Sequence, residues 1–346
     1  MNYTQDYWND VERVINNIPN KELLFGKKVL ITGATGMVCS SVVEILAYLN
    51  KTWDAKIEII LLGRSEERIK DRFMQFLPKK EYFFLKFDAT KNTEINTAAD
   101  YIVYGSSNAN PAAYSKEPVE TLLTNIVGLN VILNVAKDNP HCRFLYISSS
   151  EVYGNRMNSG KELYKEEDYG YVDILNPRAC YPNGKRAAET LCACFAQEYN
   201  VDTVIARPGH IYGPTITKTD SRASASFTRD ALSGKDIVMK SAGEQLRSYC
   251  YTLDCASALL TVLLNGESGE AYNISNKNSV VSIRDIAEAF ALAGGCKVVF
   301  QNPSDAEMKS YNMMNNSALN SSKLEKLGWK AEFDVTSGTE RTLQFV

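Results

Sequence analysis

The sequence predicts an α/β fold, a doubly wound parallel sheet with a smaller C-terminal substrate-binding lobe, and three observations carry that reading. A short apolar strand runs into a glycine-rich turn and then a helix. Further apolar runs alternate with helix-like segments, and after residue 207 the alternation gives way to loops punctuated by Gly and Pro. Strands alternating with helices build a parallel sheet covered on both faces. With 346 residues and 45% hydrophobic content the chain buries one large core or two smaller ones.

Residues 5–18 place Trp8, Val11, Val14 and Ile15 on one helical stripe. An N-terminal helical extension, residues 1–27, therefore precedes the main fold and packs on it or on a second subunit. Lys28 to Thr32 forms the first strand, Gly33 to Gly36 the turn, and a helix continues through Leu49. Ile57 to Leu62, Tyr82 to Phe87, Tyr101 to Tyr104, Phe144 to Ser148 and Thr203 to Ala206 complete a dinucleotide-binding domain over residues 28–206. Residues 207–346 form mainly the substrate lobe, with helices at Ser224 to Leu232 and Ser282 to Ala293. The strand Ala271 to Ile274 is placed to return to the main sheet.

Composition narrows the function. A net charge of -3 lacks the basic footprint of a nucleic-acid binder. No apolar run approaches the roughly 18 residues that span a bilayer, and the N-terminus is polar and acidic rather than signal-like. The expectation is a cytoplasmic protein with neither nucleic-acid nor membrane partners. Its eight cysteines lack C-x-x-C spacing and read as reduced core thiols. Only two histidines, His141 and His210, are present, so neither a zinc site nor a Ser-His-Asp triad is expected.

The turn reads Thr32-Gly33-Ala34-Thr35-Gly36-Met37-Val38-Cys39. In a Rossmann domain the first glycine permits the tight turn, the second lets pyrophosphate reach helix amides, and the third eases helix packing. Cys39 occupies the third position, where small size suffices. Gly33, Thr35, Gly36, Met37 and Val38 are thus candidate cofactor contacts. The second strand ends Gly63-Arg64-Ser65, without the acid that bonds a ribose 2′-hydroxyl. Arg64 suits a 2′-phosphate, so NAD and NADP both stay open. Asp88 is a candidate partner for the adenine amino group.

Chemistry centres on Ser149, Tyr181 and Lys185. A spacing of four on one helix puts the phenol and the ammonium on one face. A neighbouring cation favours phenolate, so Tyr181 is expected to serve as a base with its pKa depressed by Lys185.

Taken in order, Asn108 to Pro111, Ser149 to Gly154, Asn176 to Tyr181 and Gly184 to Thr190 resemble the extended short-chain dehydrogenase/reductases of the NAD-dependent epimerase/dehydratase family. Within that family, Gly105 to Asp254 is most similar to UDP-glucuronate decarboxylases (UDP-xylose synthases). The resemblance implies that Tyr181 is the base, that Lys185 holds ribose hydroxyls and that Ser149 bonds the sugar hydroxyl being oxidised. It places Arg247 at the substrate pyrophosphate and the His210 loop at nicotinamide and substrate. Relatives that expel water often carry an Asp where this chain has Ser150, and Ser supplies a proton poorly. Glu151 occurs in decarboxylases and in GDP-mannose dehydratases, so it leaves both reactions open. Where the subgroup has Asn, this chain has His210, an imidazole suited to donating to phosphate or moving protons near pH 7. Cys39 and Gly63-Arg64 are further departures.

The implied activity is transient C4 oxidation of a nucleotide sugar by tightly bound NAD or NADP. Decarboxylation ranks first, 4-epimerisation second and 4,6-dehydration third. An NADPH-dependent keto-sugar nucleotide reductase and a non-enzymatic nucleotide-binding scaffold are the alternatives from other classes. A homodimer is expected through helices around Pro118 to Ala136 and Cys180 to Tyr199.

Overall fold

The computed structural model describes residues 1–155, 163–217, 220–302 and 316–346. In chain order the strands are β1 Lys28–Thr32, β2 Glu58–Gly63, β3 Tyr82–Lys86, β4 Tyr101–Tyr104, β5 Arg143–Ile147 and β6 Asp202–Pro208. There follow β7 His210–Tyr212, β8 Ile237–Met239, β9 Leu246–Tyr251, β10 Ala271–Ile274, β11 Val280–Ser282 and β12 Val298–Phe300. The helices are α1 Gln5–Asn16, α2 Met37–Trp53, α3 Glu66–Phe73, α4 Pro111–Lys116 and α5 Pro118–Leu123. After them come α6 Leu129–Asp138, α7 Cys180–Tyr199, α8 Ala223–Leu232, α9 Thr252–Asn265 and α10 Ile283–Gly294.

Among the described residues the main sheet has seven strands in the order β10-β6-β5-β4-β1-β2-β3, all paired in parallel. Neighbouring residues of each strand enter opposite cores. Val29, Ile31, Ile59, Leu61, Val103 and Leu145 pack with α2 and α9, while Leu30, Ile60, Leu62, Ile102, Phe144 and Tyr146 pack with α6 and α7. Burial on both faces is why these strands read as unbroken apolar runs. The lobe is interleaved with this sheet rather than appended to it. β9 pairs in parallel with β7 and antiparallel with β11, and the chain then passes through α9 to β10, which pairs with β6. A separate pair, β8 with β12, lies with α8 and α10.

α1 packs on α2 and α9 through buried Tyr7, Val11, Val14 and Ile15. Beneath it Glu44 of α2 is fully buried. Its two oxygens accept from Tyr3 Oη at 2.8 Å, Tyr7 Oη at 2.5 Å and Arg72 Nη2 at 2.7 Å.

One expectation needs correction. The helix from Pro118 to Asp138 is long and apolar enough, by length and composition, to cross a membrane. Scattered Thr, Asn and Glu residues break its apolar run without lowering its average enough to matter. Its second half supplies Leu129, Ile132, Leu133 and Val135 to the core, the place of a buried helix. Midway it loosens into a π turn at Thr124–Gly128. Asn125 there donates to Ser107 Oγ at 3.1 Å and accepts from Tyr146 Oη at 3.0 Å, fastening the loop after β4 to the core. All eight cysteines are free thiols.

Candidate active site

The strand order reverses between β1 and β4, and the crevice lies beyond the carboxyl ends of those strands, where doubly wound sheets hold ligands. It comprises adjoining cavities of about 260 and 480 Å3 that share Gly33, Gly36, Gly105, Ser107 and Asn108. Gly33 turns the chain at φ +65°, and a Cβ there would stand 2.7 Å from the Gly105 carbonyl oxygen. Conformation and space therefore both demand glycine. Gly36 opens α2 without any side-chain cap, so the first-turn amides face the crevice unclaimed by a side chain. That donor set fits a dinucleotide pyrophosphate. Cys39 is accommodated from across the gap, because a Cβ on Gly105 would run into its Sγ. Burial pushes the Cys39 thiol up to about 12, so it sits there as a small neutral group.

Every residue singled out from the cofactor turn lines this crevice. Thr35, Arg64 and Asp88 stand on the smaller cavity, and Met37, Val38 and His210 on the larger. Ser149, Ser150, Glu151, Tyr181 and Lys185 share the larger cavity, as does Arg222, which the sequence reading missed. Arg247 is placed differently. It is 3% exposed, donates from Nη1 to the Leu246 carbonyl at 2.8 Å, and acts on Glu151 and His210 through its charge rather than from the cavity wall.

Tyr181 and Lys185 lie one turn apart on α7, both buried. Lys185 Nζ donates to the Ile147 carbonyl at 2.7 Å and lies 4.8 Å from the centre of the Tyr146 ring and 5.7 Å from that of Tyr181. Ser149 Oγ accepts the Glu151 amide at 3.2 Å, and Ser149 stands near enough to the Tyr181 phenol to favour its ionised form. The loop is braced from behind. Ser148 Oγ donates to Glu189 Oε1 at 2.5 Å, and Arg207 grips the two Glu189 oxygens at 3.0 and 2.6 Å.

The electrostatics depart from the expectation of a phenolate held by an ammonium. Burial pushes the Tyr181 phenol upward, helped by the Glu151 charge, and Ser149 and Arg222 only partly oppose it. Burial also pushes Lys185 down to about 7, against the pull of Glu189 and Cys39. Proximity is as predicted, but desolvation of both groups outweighs it. Burial raises the Glu151 pKa, against Arg178 at 3.7 Å and Arg247. His210 is corrected too. Burial, then Arg247 and Arg222, push it down to about 3, so it is a neutral imidazole at pH 7 rather than a proton carrier. Among the described residues its buried Nδ1 has no hydrogen-bond partner.

Two further residues were missed. The Tyr114 ring stacks on that of Tyr181, centroids 5.2 Å apart and planes 13° from parallel. Arg178 lies 5.3 Å from the centre of the Tyr114 ring, and the Cys180 thiol donates to the Tyr114 carbonyl at 3.6 Å. No local pattern marks Tyr114, because its partner stands on a distant helix. Arg178 was in view, inside the Asn176 to Tyr181 motif, but its link to Glu151 requires the fold.

Comparison with known proteins agrees with this geometry. The model of a family described as the NAD dependent epimerase/dehydratase family matches residues 29–275. UDP-glucuronic acid decarboxylase 6 of Arabidopsis thaliana is 27% identical over 314 residues, covering 90% of this chain and 86% of its own length. UDP-glucuronic acid decarboxylase 1 of Xenopus tropicalis is 28% identical over 324 residues, covering 92% and 72%. Among solved structures, a UDP-glucuronic acid 4-epimerase from Bacillus cereus, in complex with UDP-glucuronic acid and NAD, superposes with a TM-score of 0.74 at 20% identity over 92% of this chain and 98% of that one. A dTDP-glucose 4,6-dehydratase from Bacillus anthracis, in complex with NAD, gives 0.73 at 19% over 92% and 96%. At such identities the structural likeness establishes the fold.

Proposed function

Because the chain belongs to the NAD dependent epimerase/dehydratase family, we propose that it holds an NAD(P) cofactor tightly and transiently oxidises the C4 hydroxyl of a nucleotide sugar, with UDP-glucuronate decarboxylation as the outcome. One observation carries this reading: Ser149, Tyr181 and Lys185 converge on a cavity continuous with the Gly33–Gly36 turn. The choice of decarboxylation draws on the plant and frog relatives and on Ser150 standing where relatives that expel water often carry an acid.

Gly33, Thr35, Gly36, Met37 and Val38 would hold the dinucleotide, with Asp88 toward adenine and Lys185 toward the ribose. When bound, the nicotinamide supplies a hydride acceptor and a positive charge beside Tyr181. Ser149 would bond the sugar hydroxyl and Tyr181, as the phenolate that the bound nicotinamide charge would favour against its burial, would take the proton. Arg222, paired with Asp220 on the cavity wall, and Arg247 behind that wall would favour a substrate diphosphate through their charges, and neutral His210 would offer a hydrogen bond. Glu151, its pKa raised by burial, would hold or pass a proton at the neighbouring carbon. Arg64 favours a second reading, an NADPH-dependent keto-sugar nucleotide reductase.

Incubation with a panel of nucleotide sugars, read by mass, tests both. UDP-glucuronate should lose carbon dioxide without added cofactor, and Tyr181→Phe should abolish that loss while leaving cofactor bound. Turnover only with added NADPH would favour the reductase, and loss of water or unchanged mass would overturn decarboxylation. We further propose pairing with a second copy across the helix Pro118–Asp138, where Val119, Leu122 and Leu123 are 67%, 39% and 38% exposed. Sedimentation at twice the chain mass is the expected result.

A further inference from the structure

The adenosine end of the crevice departs from a site built for an unphosphorylated ribose. We infer that the dinucleotide it takes is the 2′-phosphorylated one, NADP(H), and that Arg64, Ser65 and Arg68 form the phosphate site. This rests on the reading that the crevice holds a nicotinamide dinucleotide, and it names which of the two.

In a doubly wound sheet the residue following the second strand faces the ribose 2′ position. A carboxylate there accepts from the 2′-hydroxyl and repels a phosphate, whereas a guanidinium does the reverse. Here β2 ends at Gly63 and the chain continues Arg64-Ser65, all three on the wall of the smaller cavity. The sequence showed only Arg64. The fold adds Arg68, brought to the same wall by the first turn of α3, with the Ser65 hydroxyl between them as the cap that accepts the Arg68 amide at 3.3 Å.

Neighbouring acids are largely engaged elsewhere, while among the described residues neither guanidinium has a carboxylate within 4 Å. Glu66 pairs with Lys79. Asp88 accepts from the Thr90 amide at 3.1 Å and hydroxyl at 2.8 Å and lies 3.8 Å from Lys91, so the pull of Arg64 on it is one of several. Glu120 of α5 lines the same cavity, and among the described residues it lies within 4 Å of neither guanidinium. Two unpaired guanidiniums and a hydroxyl on one wall form a recognition set for a phosphate monoester.

Two measurements independent of turnover test this. The dinucleotide released by denaturing the purified protein is identified by mass, and NADPH and NADH are each titrated into the protein by nicotinamide fluorescence. Release of the 2′-phosphorylated form and binding of NADPH about 10-fold or more tighter than NADH are expected, a preference of the size charged contacts provide. Arg64→Ala should remove most of the preference, Arg68→Ala part of it, and Arg64→Asp should reverse it. Release of NAD, or NADH binding as tightly as NADPH, overturns the inference and leaves the nucleotide-sugar reading standing. Release of no dinucleotide together with binding of neither by folded protein overturns both. The dinucleotide released by the wild-type protein, with its titration where the site is free, decides the question even if a variant fails to fold.

Discussion

Glu44 under α1 and Lys185 in the crevice are both ionisable and both buried, yet the chain treats them in opposite ways. Glu44 is surrounded by donors: Tyr3, Tyr7 and Arg72 saturate its two oxygens with three bonds. Among the described residues Lys185 makes one hydrogen bond, to the Ile147 carbonyl, lies beside two aromatic rings, and feels Glu189 through its charge without bonding it. Its neighbours are similarly underserved. Among the described residues His210 Nδ1 has no hydrogen-bond partner, and the cation nearest Glu151 is Arg178, 3.7 Å away. One region is complete as a piece of protein. The other keeps bonding capacity in reserve, which is what a ligand site requires.

Breaking the first region should show in stability. Glu44→Ala would leave Arg72 and the fully buried Tyr7 hydroxyl without their acceptor, at a cost of about 3–5 kcal/mol. Urea unfolding followed by circular dichroism measures it, with kcat of the folded fraction near wild type. A loss of kcat without loss of stability would place Glu44 in the catalytic apparatus and erase the contrast.

Tyr114 sharpens the contrast from the other side, because it is a packing residue that serves the crevice. Its ring holds the Tyr181 ring in plane. Small errors in the position of a reacting group cost rate steeply. Tyr114→Ala should lower kcat about 10- to 100-fold with little change in KM, whereas Tyr114→Phe, which keeps the stacked face, should stay near wild type. Steady-state kinetics across pH separate the cases. Equal losses in both variants would point to the Tyr114 hydroxyl instead of the stack.

The sequence carried the sheet well, since burial on both faces writes each strand as an apolar run and the observed ends differ by a residue or two. Gly33, Gly36, Tyr181 and Lys185 were equally visible, because a turn and a helical spacing are local facts. What escaped depends on elements far apart in the chain. Tyr114 meets Tyr181, and Arg222 meets the cavity, only after the fold has formed. Desolvation escaped for the same reason. A spacing of four reports that two groups are near each other but not how much water surrounds them, and burial reversed the expected direction at Tyr181 and took His210 out of the range where it would move protons near pH 7.

Lys185 itself gives the subtlest test. Its ordinary pKa of 10.5 falls to about 7 in the folded chain. Below about pH 7 both folded and unfolded chains carry the proton, so the folded state bears the whole penalty of burying an ammonium. Between about 7 and 10.5 the unfolded chain binds more protons than the folded one, so stability rises with pH, and above 10.5 the penalty is gone. Lys185→Met removes the charge while keeping a long apolar stem. The variant should therefore be more stable than wild type by ~1–2 kcal/mol near pH 6, the scale of common active-site trade-offs, with the gain shrinking as pH rises through 9. Turnover should be lost throughout. Thermal unfolding of both proteins across that range reads the difference directly. A variant less stable than wild type at about pH 6 would mean that this ammonium is served by its surroundings as fully as Glu44 is by its three donors, and the crevice would then hold nothing in reserve.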